Sequence, residues 1–311
     1  DVMNKNNNES INICDAIHYV IKSAEENNHP VINSGLKDLD DFTGGWYPGE
    51  LCVVGGRPAM GKTGFILGVI ANIVSSKIPT ALFSSTDSIN VYFISRIVSC
   101  INPENDSHSL KQKLQAIKNS DLKDVPLYLN MQPTLRFAYI KEQCEHLVRE
   151  KGVKIIFIET IQSMFNCEEN GNTKEAMETL CHKIKCLACE LNVPIVITSD
   201  LNRSPEHREG LDGKIPQIAD LRSCSAIENS ADSIYLLYRP EYYGISMDET
   251  GKDLRGIMNI IIAKKKYNHC GEVEVKFDRN SGRVYNLEKT TLCDIANPVE
   301  FNIHTHTDGP F

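Results

Sequence analysis

Gly56-Arg57-Pro58-Ala59-Met60-Gly61-Lys62-Thr63 is the stretch that decides the fold of this chain. It fits G-x-x-x-x-G-K-[ST], the phosphate-cradling P-loop pattern. The residues on either side agree with it. Leu51 to Val54 is a short apolar, β-branched run that predicts a buried strand. Gly64 to Val74 predicts a helix. The loop therefore joins a strand to a helix N-terminus, where backbone N–H groups and the helix dipole favour a bound phosphate. Gly56, Arg57, Pro58, Ala59, Met60, Gly61, Lys62, Thr63 and Gly64 form the predicted nucleotide-binding stretch. Within it, Lys62 is placed to reach the β- and γ-phosphates and the Thr63 hydroxyl to hold Mg²⁺. The competing reading, a Gly-containing turn that matches by chance, fails to explain why pattern, strand and helix coincide.

Outward from the loop, strands and helices alternate. Strands are predicted at Leu51–Val54, Thr80–Ser84, Leu127–Asn130, Lys154–Glu159 and Pro194–Ser199. Helices are predicted at Gly64–Val74, Ile89–Cys100, Lys111–Asn119, Tyr139–Glu150 and Thr173–Leu191. This alternation implies an α/β fold with a mostly parallel sheet and helices on both faces. Ser233–Tyr238, Met258–Ala263 and Gly271–Asp278 follow as strands without intervening helices, which predicts an antiparallel edge. Ile11, Ile13, Ala16, Ile17, Val20, Ile21 and Ala24 form an apolar stripe at helical spacing, ended by Asn27-Asn28-His29-Pro30. The expected organisation is a disordered start and leading helix at 1–30, one α/β domain carrying the P-loop at 31–289 and a loose tail at 290–311.

Composition sets outer bounds. The 311 residues are 41% hydrophobic and 24% charged, ordinary for a globular chain. No apolar run is long enough to span a membrane. The polar start, Asp1 to Asn8, has no signal-peptide core, and the missing initiator Met is expected of a fragment of a longer protein. Eleven cysteines without a secretion signal predict free thiols in the cytoplasm. Cys181, Cys186 and Cys189 with His182 do not share one tight helical face, so core and surface cysteines are the better reading than a metal site. A net charge of −8 gives no hint of nucleic acid, although a local basic surface is all that binding needs.

The P-loop has company. Ser34-Gly35-Leu36-Lys37-Asp38-Leu39-Asp40, Gly44-Gly45 and Pro48-Gly49-Glu50-Leu51 lead into it. Leu201-Asn202-Arg203-Ser204, Asp220-Leu221-Arg222, Ala226-Ile227-Glu228, Ala231-Asp232, Tyr238-Arg239-x-Glu241-Tyr242-Tyr243 and Ile261-Ile262-Ala263-Lys264 follow it in order. The set resembles the RecA-like motor domain of DnaB-type replicative helicases, over about residues 10 to 288. The Arg-Pro-x-Met-Gly-Lys-Thr form of the loop is far more specific than a generic P-loop. The resemblance covers the motor and not the family's N-terminal helical domain, which docks primase. It implies a RecA-like P-loop NTPase core preceded by a linker helix, and an ATP- and Mg²⁺-dependent helicase. Such helicases form hexameric rings, each ATP lying between two subunits, and move 5′ to 3′ on single-stranded DNA threaded through the centre. Primase and a helicase loader are further candidate partners. The helix at 10–28 matches the linker helix that packs on the neighbouring subunit; a helix folded onto its own domain is the alternative.

The resemblance also assigns residues, with departures that cluster around the γ-phosphate. Glu159 ends the strand Ile155-Ile156-Phe157-Ile158, where the family has a Walker-B Asp; it is expected to hold Mg²⁺, against a plain surface acid. The family's catalytic Glu falls on Thr86, whose hydroxyl lacks basicity near neutral pH. Asp87 is the adjacent carboxylate, able to substitute only where the chain has left the strand; otherwise it is a loop or capping residue. The family's γ-phosphate-sensing Gln falls on Asp200, whose charge is unfavourable beside phosphate unless a cation intervenes. The family's Lys-x-Arg, which acts on the neighbour's ATP, appears as Lys264-Lys265-Lys266. Lys266 keeps the charge and loses the bidentate fork; a solvated basic turn is the alternative.

The DNA-facing Arg-Glu-Ser-Gly-Ala-Ile-Glu of the family appears as Arg222-Ser223-Cys224-Ser225-Ala226-Ile227-Glu228. Ser225 replaces a glycine that lets backbone approach phosphate, and matches it only with a suitable backbone conformation. Arg203, Arg208, Arg222 and Ser225 are the expected DNA contacts, with solvated loop side chains as the alternative. The loop at Cys167 to Thr173 carries Glu168 and Glu169 and suits DNA poorly. Three departures, Thr86, Asp200 and Lys266, keep a second reading open: a relative that binds ATP, hydrolyses it slowly and assembles or regulates without unwinding.

Overall fold

The computed structural model describes residues 12–14, 17–18, 31–85, 91–101, 125–166, 174–210, 212–266, 268–278 and 282–287. Thr86, Asp87, the predicted helix at 111–119, the loop at 167–173 and the tail from 290 lie outside the described residues. Of the predicted leading helix, residues 13–14 and 17–18 are described, and these are helical.

The first described helix of the body is α1 (Lys37–Thr43), followed by strand β1 (Leu51–Gly56) and α2 (Lys62–Ser75). Next come β2 (Thr80–Ser84), α3 (Val91–Ile101), β3 (Leu127–Met131), α4 (Phe137–Lys151) and β4 (Ile155–Glu159). Short α5 (Ile161–Phe165) and long α6 (Lys174–Leu191) lead to β5 (Ile195–Asp200), α7 (Ser204–His207) and α8 (Cys224–Ser230). The strands β6 (Ser233–Tyr238), β7 (Ile257–Lys265), β8 (Gly271–Phe277) and β9 (Val284–Asn286) complete the body.

All nine strands join one sheet in the order β3-β2-β4-β5-β1-β6-β7-β8-β9. The pairings from β3 to β6 are parallel, and those from β6 to β9 antiparallel. Both halves of the predicted sheet are therefore present, with β9 as an added edge strand too short to announce itself in the sequence.

Alternation along the central strands divides the core into two layers. Cys52, Val54, Leu82 and Phe157 pack with the buried face of α2. Leu51, Val53, Ala81, Phe83, Ile156 and Ile158 point the other way, onto α4, α6 and α8. Successive side chains of a strand point to opposite faces, so a run apolar at every position marks a strand covered on both sides. β1 is buried at all of its residues, which is why it reads as a continuous apolar run. Burial on both faces fixes its register against β5 and β6 and so fixes the loop that leaves its end.

The parallel register brings the carboxyl ends of the central strands together. Gly56 is level with Asp200, and Ser84 with Glu159. In open α/β sheets this is the end at which ligands bind.

Candidate nucleotide-binding site

The P-loop leaves β1 at Gly56 and enters α2 at Lys62. Gly61 takes φ = 105°, a conformation that L side chains rarely adopt, and an added Cβ would come within 2.9 Å of the Met258 Cε. Gly64 is closed off differently: its Cβ would lie 2.5 Å from the Gly282 carbonyl oxygen. The loop is thus held close to β7, β8 and the turn before β9. Lys62 begins the helix, so α2 starts two residues before the sequence predicts.

An open cleft of about 640 Å³ lies over the loop. Ala59, Gly61, Lys62, Thr63 and Gly64 line one side, and Arg96, Arg239, Glu241, Tyr242, Phe277 and Gly282 the other. The Arg239 guanidinium stacks over the Phe277 ring with 4.3 Å to the centroid, a cation–π contact that fixes its plane. Three of the lining side chains are cations, which suits a polyanion such as a triphosphate. Residues 239–243 belong to the sequence stretch that carries the family resemblance, but nothing in that stretch marks Arg239 and Tyr242 as site residues. Arg96, Phe277 and Gly282 carry no sequence signal.

At the loop's edge the Thr63 hydroxyl donates to Glu159 Oε1 in a short hydrogen bond. A hydroxyl and a carboxylate held together are hard oxygen donors of the kind Mg²⁺ takes. Glu159 thus meets Thr63 despite being one methylene longer than Asp. Directly after it, Thr160 caps α5, its hydroxyl accepting from the Ser163 N–H. That short helix places Gln162 across the end of β5: its Oε1 accepts from the Asp200 N–H (3.2 Å) and its Nε2 donates to Ser199 Oγ (3.0 Å). Asp200 in turn sits 2.9 Å from Lys62 Nζ. The cation that an acid at this position requires is the P-loop lysine itself.

Several side chains of the expected site and DNA contacts are engaged elsewhere in the fold. Arg57 lies in the predicted nucleotide-binding stretch, yet its guanidinium is buried and points to the segment after β5. It donates to Glu206 Oε1 through Nε (2.9 Å) and Nη2 (2.5 Å), and to the Leu201 carbonyl through Nη1 (2.8 Å). Arg57 therefore ties the P-loop to α7 and offers the cleft only its backbone. Met60 is buried too, its sulfur accepting from the Arg239 N–H at 3.2 Å.

Of the expected DNA contacts, Arg208 is spent internally: Nη2 pairs with Asp220 and Nη1 donates to the Ile215 carbonyl. Lys214 is likewise bonded to the carbonyls of Glu206 (3.0 Å) and Arg208 (2.8 Å). These bonds hold the Arg208 and Lys214 side chains within the segment that follows β5. Arg203 and Arg222 remain exposed. Ser225 lies in the first turn of α8, and the left-handed residue falls on Ser223 (φ 60°, ψ 42°). The glycine-like conformation is thus present two residues earlier than the sequence comparison places it.

Lys264, Lys265 and Lys266 lie at the far end of the sheet, where Lys265 is level with Ser233 at the start of β6. At about 3.3 Å per residue, β1 separates them from the P-loop by about 17 Å. Lys264 Nζ donates to the carbonyls of Glu228 (2.5 Å) and Ala231 (2.7 Å), neutralising the C-terminal end of α8. Lys265 is buried against Glu50, with Nζ 2.9 Å from Oε1, and also donates to the Gly45 carbonyl (3.0 Å). The Ser233 hydroxyl and the Tyr47 N–H satisfy the same carboxylate. Lys266 is half exposed and lies 3.5 Å from Asp232 Oδ1, whose other oxygen accepts from Lys185 (2.6 Å) and the Leu51 N–H (2.9 Å). Burial pushes the Asp232 carboxyl up, but these partners outweigh it and hold it below its ordinary value of 3.8. That contribution to stability is present above the ordinary carboxylate range and is lost as pH falls below it.

A buried pair broken at one partner leaves an uncompensated charge. Lys265→Met is expected to lower unfolding stability by about 3–5 kcal/mol. Urea denaturation checks this, and Glu50→Gln in the same chain should recover much of the loss. A loss under about 1 kcal/mol, the range of surface pairs, would contradict the account.

The cysteines do not converge. Cys181 is buried and Cys189 exposed, and burial pushes the Cys181 thiol up to about 12, far from the thiolate that binds metal. Among the described residues, no group of three or more His, Cys, Asp or Glu could hold a metal ion, and no helix is long and apolar enough to cross a membrane.

Comparison with known proteins agrees with the fold. Replicative DNA helicase DnaB of Rickettsia typhi is 27% identical over 318 residues, covering 92% of this chain and 63% of that protein. A probable replicative DNA helicase of Trieres chinensis is 32% identical over 260 residues, covering 80% of this chain and 56% of that protein. The chain thus spans about six tenths of the length of the curated relatives it matches. Among solved structures, an ATPase domain determined on its own superposes with a TM-score of 0.72 at 24% identity, covering 90% of this chain and all of that one. A DnaB-like replicative helicase, solved with its interactions with primase, also gives 0.72 at 24% identity, covering 90% of this chain and 68% of that one. Both likenesses bear on the fold alone. The DnaB-like helicase C-terminal domain model matches residues 31–286, and the chain belongs to that family.

Proposed function

We propose that this chain is the ATP-hydrolysing motor of a 5′-to-3′ DNA helicase that acts in DNA replication as a ring, most simply a hexamer, in the cytoplasm. Residues 1–30 serve as start and linker helix, 31–289 as motor and 290–311 as tail. The observation that carries the reading is the Thr63–Glu159 contact beside Lys62, at the mouth of a cleft lined by cations. Lys62 holds the β- and γ-phosphates, and Thr63 and Glu159 hold Mg²⁺. Bound there, the ion supplies charge neutralisation on the phosphates. Asp87, or an acid from a neighbour, takes the proton from water.

The lysines at the far end of β7 are too distant to serve their own cleft, which supports a role across a subunit interface. Lys266, half exposed, is better placed for it than Lys264, which is committed to α8. Single-stranded DNA is contacted by Arg203 and Arg222, with the Ser223–Ser225 turn offering backbone N–H groups. Primase and a helicase loader are the further partners of this reading.

A forked duplex with either a 5′ or a 3′ tail tests it. Strand separation that needs ATP and a 5′ tail is the expected result; binding of ATP with neither fork opened would sink the helicase reading. Arg203→Ala and Arg222→Ala are each expected to weaken binding across all sequences and to lower the slope of log affinity against log salt by about 1. An unchanged salt slope in both would remove these residues from the DNA contact.

The Lys62–Asp200 pair favours a second reading. A chain whose P-loop lysine is already paired, and whose catalytic Glu is Thr86, could bind ATP and turn it over slowly in an assembly or regulatory role.

A further inference from the structure

We propose that Asp200 is a built-in competitor for the phosphates: it occupies Lys62 when no nucleotide is bound, and so makes nucleotide binding depend on Mg²⁺. This rests on the reading of the P-loop cleft as a nucleotide site, and it concerns what sets the affinity of that site.

An ammonium group has three N–H donors and no more. Those of Lys62 have three acceptors within reach: Asp200 Oδ1 at 2.9 Å, the Gly56 carbonyl at 2.8 Å and the Arg57 carbonyl at 3.2 Å. The lysine is thus saturated by its own chain. The pair is also sheltered, with the Lys62 side chain 10% exposed and that of Asp200 31%. Water screens such a pair less than a surface pair.

Asp200 cannot drift away cheaply. Its Cα is level with Gly56 in the parallel ladder. Its N–H donates to Gln162 Oε1 (3.2 Å), and its carbonyl accepts from the Arg222 N–H (3.2 Å). Leu201, which follows it, forms an isolated bridge with Leu221. The carboxylate is therefore anchored beside the P-loop by both of its backbone groups.

A phosphate entering the loop needs the Lys62 donors that Asp200 now holds. Once it takes them, the carboxylate faces an anion without its cation, and the two repel. Thr63 and Glu159 would hold Mg²⁺ beside the phosphates, where its positive charge would offset the repulsion from Asp200. A neutral amide at position 200 would neither hold Lys62 as strongly nor repel the phosphate. Asp200 is therefore a specificity-determining residue: it selects metal-bound nucleotide over free nucleotide.

The test is calorimetric binding of ADP to the purified chain, in EDTA and in excess Mg²⁺. Wild type, Asp200→Asn and Asp200→Gln are compared, each first checked for folding by circular dichroism. In EDTA the amide variants are expected to bind ADP about tenfold more tightly than wild type, the scale of one charge-assisted hydrogen bond. In Mg²⁺ the difference should shrink to less than about threefold, as the ion takes over the relief of charge. Equal affinities in EDTA would overturn the proposal. An equal gain in both conditions would overturn it too, since a merely structural effect would not respond to the metal. Wild type alone gives an arm that needs no variant: its ADP affinity should fall about tenfold when Mg²⁺ is removed, and an unchanged affinity contradicts the competitor. If folded wild type and variants bind no ADP under any condition, the nucleotide site itself is wrong, a failure distinct from the previous ones.

Discussion

Replacing Lys62 with Ala lowers steady-state ATP hydrolysis by about 10²–10³-fold, the cost of removing one preorganised donor from a developing charge. Lys62 starts α2 at the centre of the cleft, with its ammonium level with the carboxyl ends of β1 and β5. No other cation is placed there by the P-loop itself, because the Arg57 guanidinium is turned away onto Glu206 and Leu201. The two other cations of the cleft, Arg96 and Arg239, stand on its opposite wall, so the P-loop side loses its only ammonium. Folding should survive, since the apolar face of α2 and the Thr63–Glu159 contact are untouched. A folded Lys62→Ala chain that hydrolyses ATP at the wild-type rate would mean that the activity comes from another site or from a contaminant.

Thr86→Glu is expected to raise hydrolysis by about 10²–10⁴-fold, the usual worth of a positioned general base. Thr86 lies outside the described residues, so the argument rests on its neighbours in the chain. β2 ends at Ser84, level with Glu159, and Thr86 follows two residues later. The family resemblance puts its Glu at that step, and Thr cannot accept the proton. Asp87→Asn in the natural background separates the alternatives. A fall of the same order identifies Asp87 as the working substitute, and the gain from Thr86→Glu should then be small. No gain from Thr86→Glu together with no loss from Asp87→Asn would contradict the missing-base account.

How legible the molecule is in its sequence depends on how local each feature is. The strand–loop–helix around Gly56–Thr63 is encoded within about twenty-five residues, by apolar continuity, two glycines and a lysine, and it stands where expected. Glu159 is legible for the same reason: it follows four buried apolar residues at the end of β4, and parallel register carries it to Thr63. The other wall of the cleft is not local. Arg96 comes from α3, Phe277 from β8 and Gly282 from the turn before β9, brought together by sheet order and by the packing of α3 on α2. Nothing in their neighbourhoods marks them. The basic residues show the opposite failure. Arg208 looks available in the sequence, but it has an acid and a carbonyl within reach that only the fold reveals. Lys265 is a further case, buried with Glu50 although the two are far apart in the chain. β9 and α8 are short enough that tertiary contacts, not propensity, decide them.

The most direct test of the motor account is steady-state ATP hydrolysis by the purified chain, with and without single-stranded DNA, using Lys62→Ala as the blank. The account predicts hydrolysis above the blank that rises when single-stranded DNA is added. ATP binding with no hydrolysis above Lys62→Ala, with or without DNA, would contradict it and leave a nucleotide-binding member of the family that is not a motor.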